Sequence, residues 1–418
     1  MPNLSEAERV LREGLKAGGD EKHEAELANK LGQVLQSKGD LDGALQYTQR
    51  ALTINEKMYG PDDSNVAANA NNIGSILQAK GDLDGALQYT RQALKIEEKL
   101  YGPDNPTVAI LANNIGMILK DKGDLNGALQ YAQRALKIDE KVYGPDHPVV
   151  AIRVNNIGLI LANKGDLDGA LQYMQLALKI DESVYGPDHP NVAFYANNIG
   201  LLLREKGDLD RALEYTQRAL KIDEKVYGPE NPNVAKDANS IGLILKDKGD
   251  LNGALQYAQQ ALKIDEKVYG PDHPNVARDT NNIGLILMDK GDLNGALQYA
   301  QQALKIDEKV YGPDHPEVAR ETNNVGQILH LKRDLDGALQ YTQQALKIDE
   351  KVYGPDHPQV AIVANNIGLI HKAKGDLDGA LQYEQRALSI DEKVYGPDNP
   401  STKTVAANVE ALKKAMQR

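Results

Sequence analysis

Cysteine is absent from this 418-residue sequence, which removes disulfide frameworks, thiolate metal sites and thiol nucleophiles, and fits a reducing compartment. Long apolar runs are missing too. None approaches the ~18 residues of a membrane span, and Met1 to Gly18 carries charges throughout instead of the apolar core of a signal peptide. Positive charge is in deficit, with 48 Lys and Arg against 60 Asp and Glu, a formal −12. That balance argues against a nucleic-acid or acidic-membrane binder, since both need a net cationic surface. No phosphate-cradling Gly-rich loop, His-Glu-x-x-His pair, Gly-x-Ser-x-Gly elbow or dinucleotide fingerprint occurs. No residue is therefore nominated as catalytic, no cofactor is expected, and the expectation is a soluble, cytoplasmic protein that is not an enzyme.

What the sequence does have is repetition. Gly-Asp recurs at Gly39, Gly81, Gly123, Gly165, Gly207, Gly249, Gly291 and Gly375, with Arg333 in the remaining slot, giving a period of 42 residues and nine units. Within one unit, Val192 to Pro232, two helical stretches flank Gly207-Asp208. Glycine suits the left-handed position after the first helix, and Asp caps the next. The second helix, Leu209 to Val226, shows Leu209, Leu213, Ala219, Leu220 and Val226 at roughly helical spacing, and Tyr227-Gly228-Pro229 ends it.

The loop leads into a slot held by His147, His189, His273, His315 and His357, and elsewhere by Asn105, Asn231, Asn399 or Asp63. Asn or Asp here, followed by Pro in all but one case, is N-cap chemistry. A metal ladder of these histidines is rejected. Equivalent residues lie at least one interhelix spacing apart, ~8–10 Å, whereas shared ligands need bonds near ~2 Å. The acids that recur in pairs, such as Asp223-Glu224, read as exposed partners of lysines at helical spacing.

At the ends, Asn3 to Ala17 reads as a lone second helix with Leu4, Ala7, Leu11 and Leu15 inward. Ser401 to Arg418 reads as a lone first helix with Val405, Val409 and Leu412 inward and Lys413, Lys414 and Arg418 outward. The expected organisation is a capping helix in residues 1–18, the repeats in 25–400, and a second capping helix in 401–418.

The unit Ala-Asn-Asn-Ile-Gly-Leu, Lys-Gly-Asp-Leu-Asp-Gly-Ala-Leu-Gln-Tyr, Ala-Leu-Lys-Ile, with small residues at Gly200, Ala212 and Ala219, resembles the tetratricopeptide repeat. Its Tyr-Gly-Pro-Asp-His-Pro extension is similar to the 42-residue variety found in kinesin light chains. The aromatic usual near the start of the first helix is replaced by Ala, Val or Thr. The resemblance implies an all-α fold, a right-handed superhelical solenoid of antiparallel helix pairs whose first helices line the concave side.

At ~100° per residue, Phe194, Asn197, Leu201, Arg204 and Glu205 share one face of a first helix, opposite Ala196, Ile199, Gly200 and Leu203. Among the repeats this groove set varies while the exposed positions of second helices barely change. Its first slot runs Glu26, Ala68, Ile110, Ile152, Phe194, Lys236, Arg278, Arg320, Ile362. One slot is constant: Asn29, Asn71, Asn113, Asn155, Asn197, Asn239, Asn281, Asn323 and Asn365. A row of amides offers donors and acceptors to the backbone of an extended peptide, and in kinesin-light-chain-like arrays a similar row grips cargo peptides. The alternative is that these amides bridge neighbouring helices. The following asparagine, as in Asn72 or Asn198, reads as structural.

Beside the row lie Met117, Leu159, Leu201, Leu243, Leu285 and Leu369, an apolar stripe. The one phenylalanine, Phe194, sits beside Tyr195, the one tyrosine outside the repeat pattern, and aromatics are enriched at binding hot spots. Lys236, Arg278 and Arg320 turn the row cationic, while Asp247, Asp289 and Glu321 dilute that charge. The expected function is a protein- or peptide-binding scaffold holding a ligand with an apolar anchor and acidic residues. The alternatives are a self-assembling structural protein and the sensor array of a larger signalling protein. No metal site is expected.

Overall fold

In the computed structural model, which describes residues 4–417, every regular element among those residues is an α-helix. Asn3 and Arg418, named above in the terminal helices, lie outside the described residues. The chain divides into two compact units, Met1–Ile160 and Leu161–Arg418.

The first unit holds α1 (Leu4–Ala17), α2 (Glu21–Ser37), α3 (Leu41–Tyr59), α4 (Ser64–Ala79), α5 (Leu83–Tyr101), α6 (Pro106–Asp121) and α7 (Leu125–Tyr143), and α8 (Pro148–Asn163) contains the division. The second holds α9 (Leu167–Tyr185), α10 (Pro190–Glu205), α11 (Leu209–Tyr227), α12 (Pro232–Asp247), α13 (Leu251–Tyr269), α14 (Pro274–Asp289), α15 (Leu293–Tyr311), α16 (Pro316–Leu331), α17 (Leu335–Tyr353), α18 (Pro358–Lys374), α19 (Leu377–Tyr395) and α20 (Pro400–Met416). Hairpins such as α6/α7 in the first unit and α10/α11 in the second join at the Gly-Asp turns, and the helices inside a hairpin meet more closely than successive hairpins do.

Local chemistry sets each boundary. Asn105 Oδ1 accepts the backbone N–H of Thr107 at 2.8 Å ahead of Pro106, which satisfies one of the orphan donors of α6. At the hairpin turn, Asp124 accepts from the N–H of Gly127 at 2.9 Å. The turn residue before that Asp has φ near 80°, as at Gly123 (81°) and Gly207 (80°). Arg333 holds the same turn at φ 67°, the one positive-φ residue other than glycine among those described. Tyr227 ends α11 before Gly228 (φ 83°) and Pro229, one residue beyond the expected Val226.

Glycine in the first helices serves close approach. A Cβ at Gly116 would stand 3.1 Å from the carbonyl oxygen of Ala128 and 3.4 Å from the amide nitrogen of Ala132, so α6 and α7 pack almost backbone to backbone. Cores form between and within hairpins. Leu31, Leu35, Ala44 and Ile76 cluster in the first unit, with Leu11 and Leu15 of α1 against them. In the second, Val318, Val325, Ile328, Ala338 and Ile370 form a comparable cluster.

Ion pairs link consecutive repeats, beside a few within one helix such as Arg12 with Glu8. Lys122 reaches Asp84 at 2.5 Å, Lys225 reaches Asp188 at 2.6 Å, and Arg386 reaches Glu350 at 2.6 Å. Such exposed pairs contribute about 0–1 kcal/mol each. The paired acids do not both face solvent, contrary to expectation. Asp223 is buried while its neighbour Glu224 is exposed, because Asp223 points at the next hairpin and only Glu224 faces solvent.

Candidate functional site

The first slot of the groove set is open. Phe194 is 45% exposed and Ile362 51% in the second unit, and Ile110 and Ile152 are each 46% in the first. Tyr195 turns the other way and is buried, its ring edge-on to Phe194 at 5.3 Å between centroids. The Lys236 ammonium lies 4.8 Å from the centre of the Phe194 ring, a cation–π contact. Leu159, Leu201, Leu243 and Leu285 are half-buried, as is Met117, and Leu369 is exposed.

The asparagine row lies deeper. Asn113, Asn155, Asn197, Asn239, Asn281 and Asn323 are buried, and Asn29, Asn71 and Asn365 half-buried. The second asparagine of each motif reaches back to the row. Asn72 donates to Asn29 at 3.0 Å, Asn114 to Asn71 at 2.9 Å and Asn156 to Asn113 at 2.8 Å in the first unit. Asn282 donates to Asn239 at 3.2 Å, Asn324 to Asn281 at 3.0 Å and Asn366 to Asn323 at 3.1 Å in the second. The amides thus tie consecutive first helices together. Asn197 departs from this pattern, with neither polar atom hydrogen-bonded.

The fourth and fifth slots are spent on each other. Arg204 Nε meets Asp247 at 2.5 Å and Lys246 meets Asp289 at 3.1 Å.

Behind the cationic first-slot residues lies a feature that the sequence reading missed. The position after the first slot faces the recurrent acid 14 residues earlier, on the preceding second helix. In the first unit Arg153 bonds Asp139 at 2.7 Å, fully buried, and Asn55 bonds Asn69 at 2.6 Å. In the second unit three successive junctions juxtapose acids: Asp223 with Asp237, Asp265 with Asp279, and Asp307 with Glu321, all buried. The carboxyl groups of the first two pairs are within hydrogen-bonding reach of each other.

Burial, then the neighbouring Asp223, pushes Asp237 up to about 8. Burial, then Glu321, does the same to Asp307. Burial also raises both members of the Asp265/Asp279 pair. Asp223 Oδ1, Asp237 Oδ2, Asp265 Oδ1, Asp279 Oδ2 and Asp307 Oδ2 meet no hydrogen-bond donor among the described residues. Each pair has its cation. Arg278 Nη2 lies 3.2 Å from Asp265 and 2.9 Å from Asp279, Arg320 Nη2 lies 2.7 Å from Glu321, and the Lys236 charge acts on Asp223 and Asp237. Glu321, expected to dilute the groove's charge, is instead buried behind Arg320. The signal was present in the sequence: beside a nearly fixed acid, the facing slot runs Asn69, Leu111, Arg153, Tyr195, Asp237, Asp279, Glu321, Val363.

The loop histidines act as N-caps. His189 Nδ1 accepts the N–H of Asn191 at 3.2 Å and His273 Nδ1 that of Asn275 at 3.1 Å, while their rings stack on Tyr185 and Tyr269 at 4.3 and 4.2 Å. Elsewhere in the second unit, a cleft of about 290 Å³ is lined by Gly165, Glu205, Ile362, Tyr395 and Asn399. Among the described residues no group of side chains is arranged to hold a metal, and no helix is long and apolar enough to cross a membrane.

A family model described as "Tetratricopeptide repeat" matches residues 23–99, 65–141, 107–153, 150–225, 194–267, 235–286, 279–351 and 320–393. Among solved structures, the apo form of RapI is similar at a TM-score of 0.51 and 17% identity, over 69% of this chain and 98% of that one. Kinesin light chain nearly identical TPR-like repeats from Podosopora anserina match at 0.42 and 15%, over 49% and 96%. BtubC (BKLC) from P. vanneervenii matches at 0.41 and 19%, over 65% and 92%. Among curated proteins no sequence matches.

Proposed function

The chain belongs to the tetratricopeptide repeat family, and from that premise we propose that the first-helix face of its second unit binds an extended protein segment carrying an apolar anchor followed by acidic residues. The observation that carries this reading is Phe194, the one phenylalanine of the sequence. It stands 45% exposed with a lysine ammonium over its ring and leads into Arg278 and Arg320 along the same slot. An exposed aromatic beside a cation is the composition of a binding hot spot and not of a solvated helix face. From α12 to α18 the asparagine row ties consecutive first helices of this face, and Leu201, Leu243 and Leu285 supply its apolar floor.

The test is selection from a phage-displayed random peptide library. Wild type is expected to enrich peptides with one aromatic or large aliphatic residue followed by Asp and Glu. Phe194→Ala is expected to lose them, and Gln217→Ala, on the exposed side of α11, to keep them. Enrichment indifferent to Phe194→Ala, or none at all, removes the reading.

Self-association is the second reading. It is favoured by the exposed pairs Leu100-Tyr101 and Val142-Tyr143 at the ends of α5 and α7. Light scattering across a concentration series decides it, since a constant monomer mass leaves it without support.

A further inference from the structure

Lys236, Arg278 and Arg320 each have two sides. Behind each is a buried acid pair, and in front is the open face, with the side chains of Arg278 and Arg320 38% and 44% exposed. We propose that these three cations take up an acidic segment together with protons: as the ligand's carboxylates draw on each cation, the acid pair behind it binds a proton from solvent, held between the two carboxyl groups in the pairs Asp223/Asp237 and Asp265/Asp279. This rests on the binding face proposed above and concerns its regulation.

The groups facing each pair define the coupling. Around Asp223/Asp237 the charged group is Lys236, itself influenced by Arg278 of α14. Around Asp265/Asp279 they are Arg278, the neutral donor Asn239 of α12, whose Nδ2 lies 2.5 Å from Asp279 Oδ1, and the phenol of Tyr269. Around Asp307/Glu321 they are Arg320, Glu317 at 2.5 Å from that arginine, Asn324 at 3.4 Å from Glu321, and the phenol of Tyr311.

With one proton bound, a pair carries a single negative charge that its cation balances, which leaves the first two junctions neutral and the third with only the charge of Glu317. With none, the junction is net negative and opposes an acidic ligand. The orphaned carboxyl oxygens mark where that proton sits. A ligand carboxylate weakens the cation's hold on the pair, so the bound state retains the proton to higher pH than the free state. Binding is therefore linked to proton uptake, and affinity falls as pH rises through the range in which the pairs ionise.

The probe is a fluorescein-labelled octaglutamate, with octaglutamine as control, titrated into the full chain from about pH 6 to about pH 8. Glutamate side chains remain ionised throughout this range, so their own titration contributes little. The dissociation constant for octaglutamate is expected to rise about tenfold over the two units. Calorimetry in phosphate and in Tris is expected to show net proton uptake in wild type, a readout that needs no variant. Asp237→Asn, Asp279→Asn and Glu321→Gln combined are expected to flatten the pH profile while octaglutamate still binds. Pairing Lys236→Gln with Arg278→Gln and Arg320→Gln is expected to abolish binding. Binding without proton uptake, a profile unchanged by the acid-pair variant, or no preference for octaglutamate over octaglutamine overturns the inference. Retention of library-selected, Phe194-dependent peptides in any of those cases leaves the binding face standing, so the two failures are distinguishable.

Discussion

Ser240, 43 residues beyond Asn197, donates its hydroxyl to the Lys236 carbonyl at 3.2 Å and so leaves Asn197 without the neighbour's amide that holds Asn239, Asn281 and Asn323. A fully buried amide with neither atom bonded is costly, on the order of 1–3 kcal/mol. Ser240→Asn is expected to restore the tie and stabilise the chain by about 1 kcal/mol, seen as a higher midpoint in urea. An unchanged or lowered midpoint would show that α10 and α12 lack room for the amide.

Arg333 occupies a left-handed turn position at φ 67° that costs a residue with a Cβ about 1–2 kcal/mol. Arg333→Gly is expected to recover about 1 kcal/mol, read as a higher Tm. Arg333→Ala keeps the Cβ and should recover nothing, which separates backbone strain from loss of the guanidinium.

Much of this was legible in the sequence, and the reasons differ by feature. The Gly-Asp beat announced the hairpins because glycine's backbone freedom and aspartate's capping are local effects, settled within a few residues. Phe194 was placed on the open face by helical period alone. The period failed at Asn197, which shares a face with Phe194 yet is buried, because coverage there comes from the next first helix and not from its own. The acid pairs escape the helical period for the same reason, although a comparison of the slots between repeats carries them. Asp223 and Asp237 look like solvated helix charges until two hairpins are set side by side, and helical spacing carries no information about contacts between helices.

Gly116 lies where a methyl group would meet backbone atoms of α7 on two sides, 3.1 Å from Ala128 O and 3.4 Å from Ala132 N. No flexible side chain can move to make room. Gly116→Ala is expected to destabilise by about 1–3 kcal/mol, whatever alanine's better helix propensity contributes. A neutral effect in a urea titration would mean that the hairpin can widen freely.

The acid pairs give stability a sign with pH. Asp237, whose range rises to about 8 in the folded chain, holds a proton there that the unfolded chain releases near its ordinary 3.8. Its contribution is fully present below that ordinary value and is lost as pH rises through about 8. Raising pH from about 6 to about 8 should lower apparent stability by at most ~1.4 kcal/mol per unit for each shared proton. Asp237→Asn should flatten that slope in a series of urea midpoints. A stability that increases over this interval contradicts the assignment.

His273 works in the opposite direction. Burial, then Arg278, lowers it to about 4, so its cap is fully present above the ordinary 6.5 and is lost as pH falls toward about 4. His273→Asn, which caps without titrating, should remove the acid-side loss, with helicity by circular dichroism as the check. An acid limb unchanged in that variant would place the loss elsewhere.

The tighter meeting of helices inside a hairpin than between hairpins has a mechanical consequence. Pulled from its ends, such a chain parts first along the seams between hairpins and then surrenders them one at a time. Each released unit of 42 residues adds about 140 Å of slack at full extension. The molecule would lengthen in equal strides and draw itself back the same way, a spring graduated in units of its own repeat.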